Sequence, residues 1–175
     1  HNDHGSWHPE YHPQEGLITE FGEGDGEGYT LNVPLPPGTG NRGYEAFFER
    51  IVTPAIAGFN PDLILVSAGQ DAGPSDMNGR NIATREGFRQ MGSKVQQLAE
   101  ETADSALALI QEGGYQPSHL SFATLGVFEG VLGRTVDLDG YGTGDPFEFL
   151  DEPTELVDEW LDHAVDHHRE SPVFI

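Results

Sequence analysis

Two residues stand where chemistry is easiest to place. Asp71 closes the run Pro61-Asp62-Leu63-Ile64-Leu65-Val66-Ser67-Ala68-Gly69-Gln70-Asp71, and Tyr115 closes Gln111-Glu112-Gly113-Gly114-Tyr115, which follows the apolar stretch from Ser105 to Ile110. A loop carboxylate can ligate a cation, and a phenol can donate a hydrogen bond to an oxygen that gains negative charge. Each also has a plain reading, a solvated loop acid for Asp71 and a rim aromatic for Tyr115, and residue type alone leaves both open. Histidines gather at two places. His1, His4, His8 and His12 sit among Gly5, Pro9, Pro13 and Gly16, which oppose a helix, so they read as a surface or pocket-lining loop, with a metal contact as the alternative. His163, His167 and His168 fall at the end of the last helical pattern, where they suit the negative helix terminus better than a metal. The glycines at 22, 24, 26 and 28 fail as a phosphate loop. No frame gives G-x-G-x-x-G, no helix follows, and Glu23, Asp25 and Glu27 would repel phosphate, so a flexible turn is expected.

The elements that must position Asp71 and Tyr115 follow from apolar patterning. Each short unbroken apolar run, bounded by Pro or Gly, reads as a strand buried on both faces. A helical pattern lies between them, from a cap at Thr84 to about Thr102, burying Phe88, Met91, Val95 and Leu98. Together these predict a βαβ unit in an α/β fold with a parallel sheet and flanking helices. Parallel strands deliver their carboxyl ends to one edge, the edge that holds ligands in such sheets, so Asp71 and Tyr115 are expected to be neighbours. Helical spacing also predicts a helix over about 43–57, with Pro54 bending it, and one over 120–132 capped by Ser118 and burying Phe122, Leu125, Phe128 and Val131. A closing helix over 154–168 turns Val157, Trp160, Leu161, Ala164 and Val165 inward. Tyr29-Thr30-Leu31-Asn32-Val33 is strand-like, the loop over 72–83 is long enough to shape a pocket rim, and 134–152 reads as a surface excursion. There is no repeat and no second domain: 1–152 forms the body, and 153–175 is a C-terminal amphipathic helix and tail of the same domain.

Composition narrows the classes. The 175 residues and 36% hydrophobic content suffice for one domain with a core. Thirty acidic residues face eight basic ones, a net charge of −22, and Lys94 is the sole lysine. Self-repulsion of that size is read as adaptation to high salt, where the Debye length falls to about 3 Å at 1 M, with a simply very soluble chain as the alternative. No basic patch exists to meet phosphates, so a nucleic-acid partner is not expected. Absence of cysteine rules out disulfides and thiolate metal sites. No apolar run approaches the roughly 18 residues of a membrane span, and no leader opens the chain, so a cytoplasmic protein without membrane partners is expected.

Three motifs in order then carry a resemblance. Gly26-Glu27-Gly28-Tyr29-Thr30-Leu31-Asn32-Val33-Pro34-Leu35-Pro36-Pro37-Gly38-Thr39-Gly40, Ser67-Ala68-Gly69-Gln70-Asp71-Ala72 and Gln111-Glu112-Gly113-Gly114-Tyr115 resemble the C-terminal half of the histone deacetylase and acetylpolyamine amidohydrolase family. The likeness is strongest to its prokaryotic class II branch, covers about 1–147, and implies the C-terminal portion of an arginase/deacetylase-like α/β domain. It implies that Asp71 is one of three ligands of a catalytic zinc, and that Tyr115 hydrogen-bonds the scissile carbonyl. Gly113 and Gly114 would let the backbone approach an acyl-lysine channel, and Trp7 or Tyr11 would stand in for the aromatic tunnel wall, where the usual F-P-G or F-P-P is lacking. A potassium ion is implied at backbone carbonyls that include Tyr29's, and Gln70 stands where many members have Phe or Leu.

The resemblance also exposes a gap. The family's tandem histidines and its D-x-H pair lie upstream of the matched region, and Asn2-Asp3-His4 lacks the intervening residue. One carboxylate cannot hold catalytic zinc. The chain, which begins at His1 without Met, is therefore expected to be a fragment or split half, inactive alone. The complete protein would be a zinc-dependent deacetylase acting on acetylated lysine or polyamine. Its partners would be that substrate and a missing N-terminal half, with a homo-oligomer as the alternative. The competing class is a non-catalytic binding or structural module.

Overall fold

A computed structural model of the chain describes residues 16–138 and 150–174. Its centre is the expected βαβ unit. β1 (Ile64–Ala68) pairs in parallel with β2 (Leu107–Gln111), in register from Ile64 opposite Leu107 to Ala68 opposite Gln111. α3 (Arg85–Thr102) lies between them in sequence, and its Phe88, Val95 and Leu98 are buried as its periodicity predicts.

One helical run precedes β1. It is α-helical over Asn41–Phe47 (α1), π-helical over Phe48–Val52, and α-helical again over Thr53–Phe59 (α2). The Thr53 amide bonds Phe48 O, one residue further back than an α-helix requires, immediately before Pro54, which has no amide to contribute. The bend expected at Pro54 is thus a π turn. The run ends at Asn60, whose left-handed φ of 51° stops it.

The strands are covered on one face only. Ile64 is buried among Leu98, Ala99 and Ala103, with Val52, Ile56, Val66 and Leu107 packed around them. On the other face Leu65 is 64% and Ile110 46% exposed, which corrects the expectation of strands buried on both faces. The reason is architectural: the helices bracketing β1 share one side, and no described residue covers the other.

α4 (Pro117–Leu132) also departs from its pattern. Phe122 and Phe128 face outward, and the buried stripe is His119, Ala123, Gly126, Glu129 and Gly130. Small residues are needed there because α3 comes within backbone contact. A methyl at Gly92 would lie 2.6 Å from Val127 O, and methyls at Gly126 and Gly130 would strike the carbonyls of Arg85 and Arg89. The Arg85–Glu129 ion pair, at 2.5 Å, ties the start of α3 to the end of α4, and the guanidinium holds the Glu129 carboxyl below the usual range.

Two caps differ from expectation. Thr84 occupies the N-cap of α3, but its hydroxyl accepts from Asn41 Nδ2 at 2.8 Å and does not cap its own helix. The N-cap of α4 is Gln116, and Ser118 donates to it. α5 (Thr154–His168) buries Val157, Leu161 and Ala164 against Val33, Leu35, Tyr44, Ile51 and Phe88, which completes the main core. The segment 29–33 forms no strand; it runs irregularly, with Asn32 O bonded by His168 Nε2 at 2.9 Å. His168 lies in the last turn of α5, as expected, but it is fully buried and its described bond goes to Asn32 O. No helix among the described residues is long and apolar enough to cross a membrane.

Candidate active site

The parallel pairing carries Asp71 and Tyr115 off the same edge of the sheet, and both line one cavity of about 570 Å³. Its walls are mostly apolar, with Phe48, Phe88, Val95 and Leu109 among them. The two loops are stitched directly together. The Glu112 amide donates to Ala68 O at 3.2 Å and the Gln70 amide to Gly113 O at 3.0 Å. Gln111 Nε2 donates to Gln70 Oε1 at 2.6 Å and to Gly113 O at 2.9 Å.

Asp71 occupies a glycine cradle. A methyl at Gly113 would lie 2.7 Å from Asp71 Oδ2, and one at Gly69 2.9 Å from Oδ1. Gly114 has φ +125°, and a methyl there would meet Leu120 Cδ1 at 2.7 Å. Burial pushes the Asp71 carboxyl up and the charge of Asp76 adds to the push, while a hydrogen bond from its own backbone opposes them. No ion pair to Asp71 occurs among the described residues. Its carboxylate therefore suits a cation: half-buried, held in a fitted slot, and beside a second negative charge. Among the described residues no three His, Cys, Asp or Glu side chains could together hold a metal ion, and Asp71 alone falls short of any such set's minimum of three.

Behind the cavity the buried Tyr44 hydroxyl accepts from Asn81 Nδ2 at 2.7 Å. Burial drives its pKa up to about 12, with Asp71's charge contributing, so it stays protonated.

The residues singled out from sequence separate into groups. Asp71, Gly113, Gly114 and Tyr115 come together at the strand ends. Tyr29 does not join them; it is half-exposed, with its ring edge against Phe59 at 5.9 Å, and it does not line the cavity. Trp7, Tyr11 and the four N-terminal histidines lie outside the described residues. Sequence reasoning passed over Asp76, which is buried in the 72–83 loop. Its Oδ2 accepts from the amides of Tyr115 at 2.7 Å and Gln116 at 3.2 Å, and its Oδ1 from that of Asn78 at 2.9 Å. The available signal was an Asp two residues before Asn78 and Gly79, the pattern in which a side chain bonds its own backbone two residues on.

Similarity to known proteins runs in the same direction. The model of the histone deacetylase domain family matches residues 2–131. Histone deacetylase 8 of Arabidopsis thaliana is 45% identical over 132 residues, 75% of this chain and 35% of its own length. The histone deacetylase-like amidohydrolase of Pseudomonas aeruginosa is 40% identical over 114 residues, 65% of this chain and 30% of its own. The structure of the histone deacetylase Clr3 superposes with a TM-score of 0.77 at 26% identity, covering 97% of this chain and 26% of that one. The chain thus spans about a third of the length of the curated relatives it matches.

Proposed function

The chain belongs to the histone deacetylase family, and on that premise we propose that the complete protein is a zinc-dependent amidohydrolase releasing acetate from acetylated lysine or polyamine. The observation that carries this reading is the convergence of Asp71 and Tyr115, from neighbouring strand ends, on one apolar-walled cavity. Asp71 would contribute one zinc ligand, with the remaining ligands and a histidine general base coming from residues upstream of those matched here. Bound zinc polarises an amide carbonyl and lowers the pKa of a water molecule to about 7.

The chain's own groups do the rest. The Tyr115 hydroxyl donates to the acyl oxygen as its carbon becomes tetrahedral, and the gain exists only once charge has developed there. Gly113 keeps its carbonyl and missing side chain turned to Asp71 and Gln111, so no side chain narrows the approach. The apolar walls exclude water around the acyl group and so strengthen each of these interactions. The surplus negative charge draws a cationic amine toward the mouth, an attraction that salt weakens. In this reading the isolated chain, lacking the upstream groups, is inactive. A potassium ion on the Tyr29 carbonyl belongs to the same proposal, away from the cavity, and would appear as a difference in rate between potassium and sodium buffers.

The test is acetate release from an acetyl-lysine peptide and an acetylpolyamine by the full-length protein and its Tyr115→Phe variant. The variant is expected to lose turnover by about 10²- to 10³-fold, the size of losing one oxyanion donor, with zinc content unchanged. An unchanged rate would reject the role of Tyr115.

A further inference from the structure

Asp76 and Tyr115 are far apart in the chain and bonded in the fold. The Asp76 carboxylate is 7% exposed, and three backbone amides account for its contacts: Asn78 in its own loop, and Tyr115 and Gln116 across the site. Those amides occupy both oxygens, so Asp76 is not a spare cation ligand beside Asp71; its lone pairs are directed to the backbone. Gln116 is also the N-cap of α4, where unpaired amides and the helix dipole favour an anion. The carboxylate therefore sits where one negative charge satisfies donors at the base of Tyr115 and at the entrance to the helix behind it. Ser75, with φ of 63°, turns the loop sharply just before Asp76. Tyr115 itself is half-exposed and its side chain has no described hydrogen bond, so its backbone fixes where the ring starts from.

We propose that Asp76 is a positioning residue: by clamping the Tyr115 and Gln116 amides it fixes where the Tyr115 hydroxyl stands relative to Asp71. The inference rests on the functional reading above, since it assigns Asp76 a part in the reaction carried by Tyr115. A clamp of this kind acts on the transition state through one hydroxyl, because about 1 Å of misplacement costs on the order of 10²-fold. It does not change the metal ligands or the walls that bind substrate.

A double-mutant cycle on the full-length protein tests it, with kcat, KM and zinc content measured for each form. Asp76→Ala is expected to lower kcat about ten- to hundredfold when Tyr115 is present, with KM and zinc content within about twofold. In the Tyr115→Phe background the same change should lower kcat by less than about threefold, because the hydroxyl it positions is gone. Asp76→Asn, which keeps one oxygen for the Tyr115 amide, should recover most of the activity; Asp76→Ser, too short to reach the Tyr115 and Gln116 amides, replaces Asp76→Ala in the cycle if the alanine form does not fold. Equal fold losses in both backgrounds, or loss of zinc along with kcat, overturn the positioning role while leaving the function intact. A Tyr115→Phe variant with wild-type kcat removes the role of Tyr115 and the inference with it, whereas no acetate release from the full-length wild-type protein overturns the functional reading itself.

Discussion

Asp76 and His168 do the same mechanical job with opposite chemistry. Each is a buried titratable side chain that holds the backbone of a segment remote in sequence. Asp76 accepts from the amides of Tyr115 and Gln116, while His168 Nε2 donates to Asn32 O at 2.9 Å. Around His168 the packing is aromatic and closed: Phe21 stacks on it at 5.7 Å, His167 meets it edge-on, and Ser171 Oγ bonds Gly28 O at 2.7 Å. Burial lowers the His168 pKa and repulsion from His167 adds to this, while the bond to Asn32 partly opposes them, so the ring is neutral. Around Asp76 the neighbouring Asp71 is instead left with a charge that burial and proximity disfavour. The His168 junction is held by packing and by the bond to Asn32, although His168 Nδ1 and His167 Nε2 are buried without a described partner, and at the Asp76 junction the carboxylate of Asp71 has no described ion pair. Under the proposed function, stability is concentrated at the first place and chemistry at the second.

The largest effect that would sharpen this contrast is at the closed junction. His168→Ala removes a fully buried ring and its hydrogen bond, so a loss of about 3 kcal/mol is expected in denaturant or thermal melts. Acetate release per folded molecule should not change; a loss of turnover without a loss of stability would break the separation.

A smaller effect is the pH dependence, which should have opposite signs at the two places. The His168 pKa is lower in the fold than its ordinary 6.5, so its contribution is full above about 6.5 and is lost as pH falls through the folded value. Each tenfold change in proton affinity between the folded and unfolded chain is worth about 1.4 kcal/mol. The Asp71 pKa is raised above its ordinary 3.8, so in metal-free protein its contribution is present below about 3.8 and is lost as pH rises through the folded value. Melting temperatures of chelator-treated full-length protein, compared with His168→Ala and Asp71→Asn, separate the two. Parallel curves for His168→Ala and wild type below neutral pH would remove the histidine's part.

The elements legible in the sequence were those whose apolar periodicity had a single reading. β1, β2, α3 and α5 fell where their patterns put them, and the strand-end rule brought Asp71 and Tyr115 to one edge. α4 was misjudged because it is apolar nearly all round, so periodicity could not choose a face. The deciding signal was the spacing of Ala123, Gly126 and Gly130, which permits the close approach of α3. The π turn before Pro54 and the exposed sheet face depend on what packs nearby, which a local pattern does not carry. The link from Asp76 to Tyr115 and Gln116 was hidden for a related reason, although the local bond of Asp76 to Asn78 left a signal. Asp76 lies in an aperiodic loop, and its partners across the site are 39 and 40 residues away.

Every role proposed for this centre depends on the Asp71 carboxylate, cradled by Gly69 and Gly113, being a zinc ligand. Zinc content of the purified full-length protein and its Asp71→Asn variant tests this most directly. The prediction is about one zinc per chain in the parent and a strongly depleted variant that remains folded. Equal zinc in both proteins would contradict it.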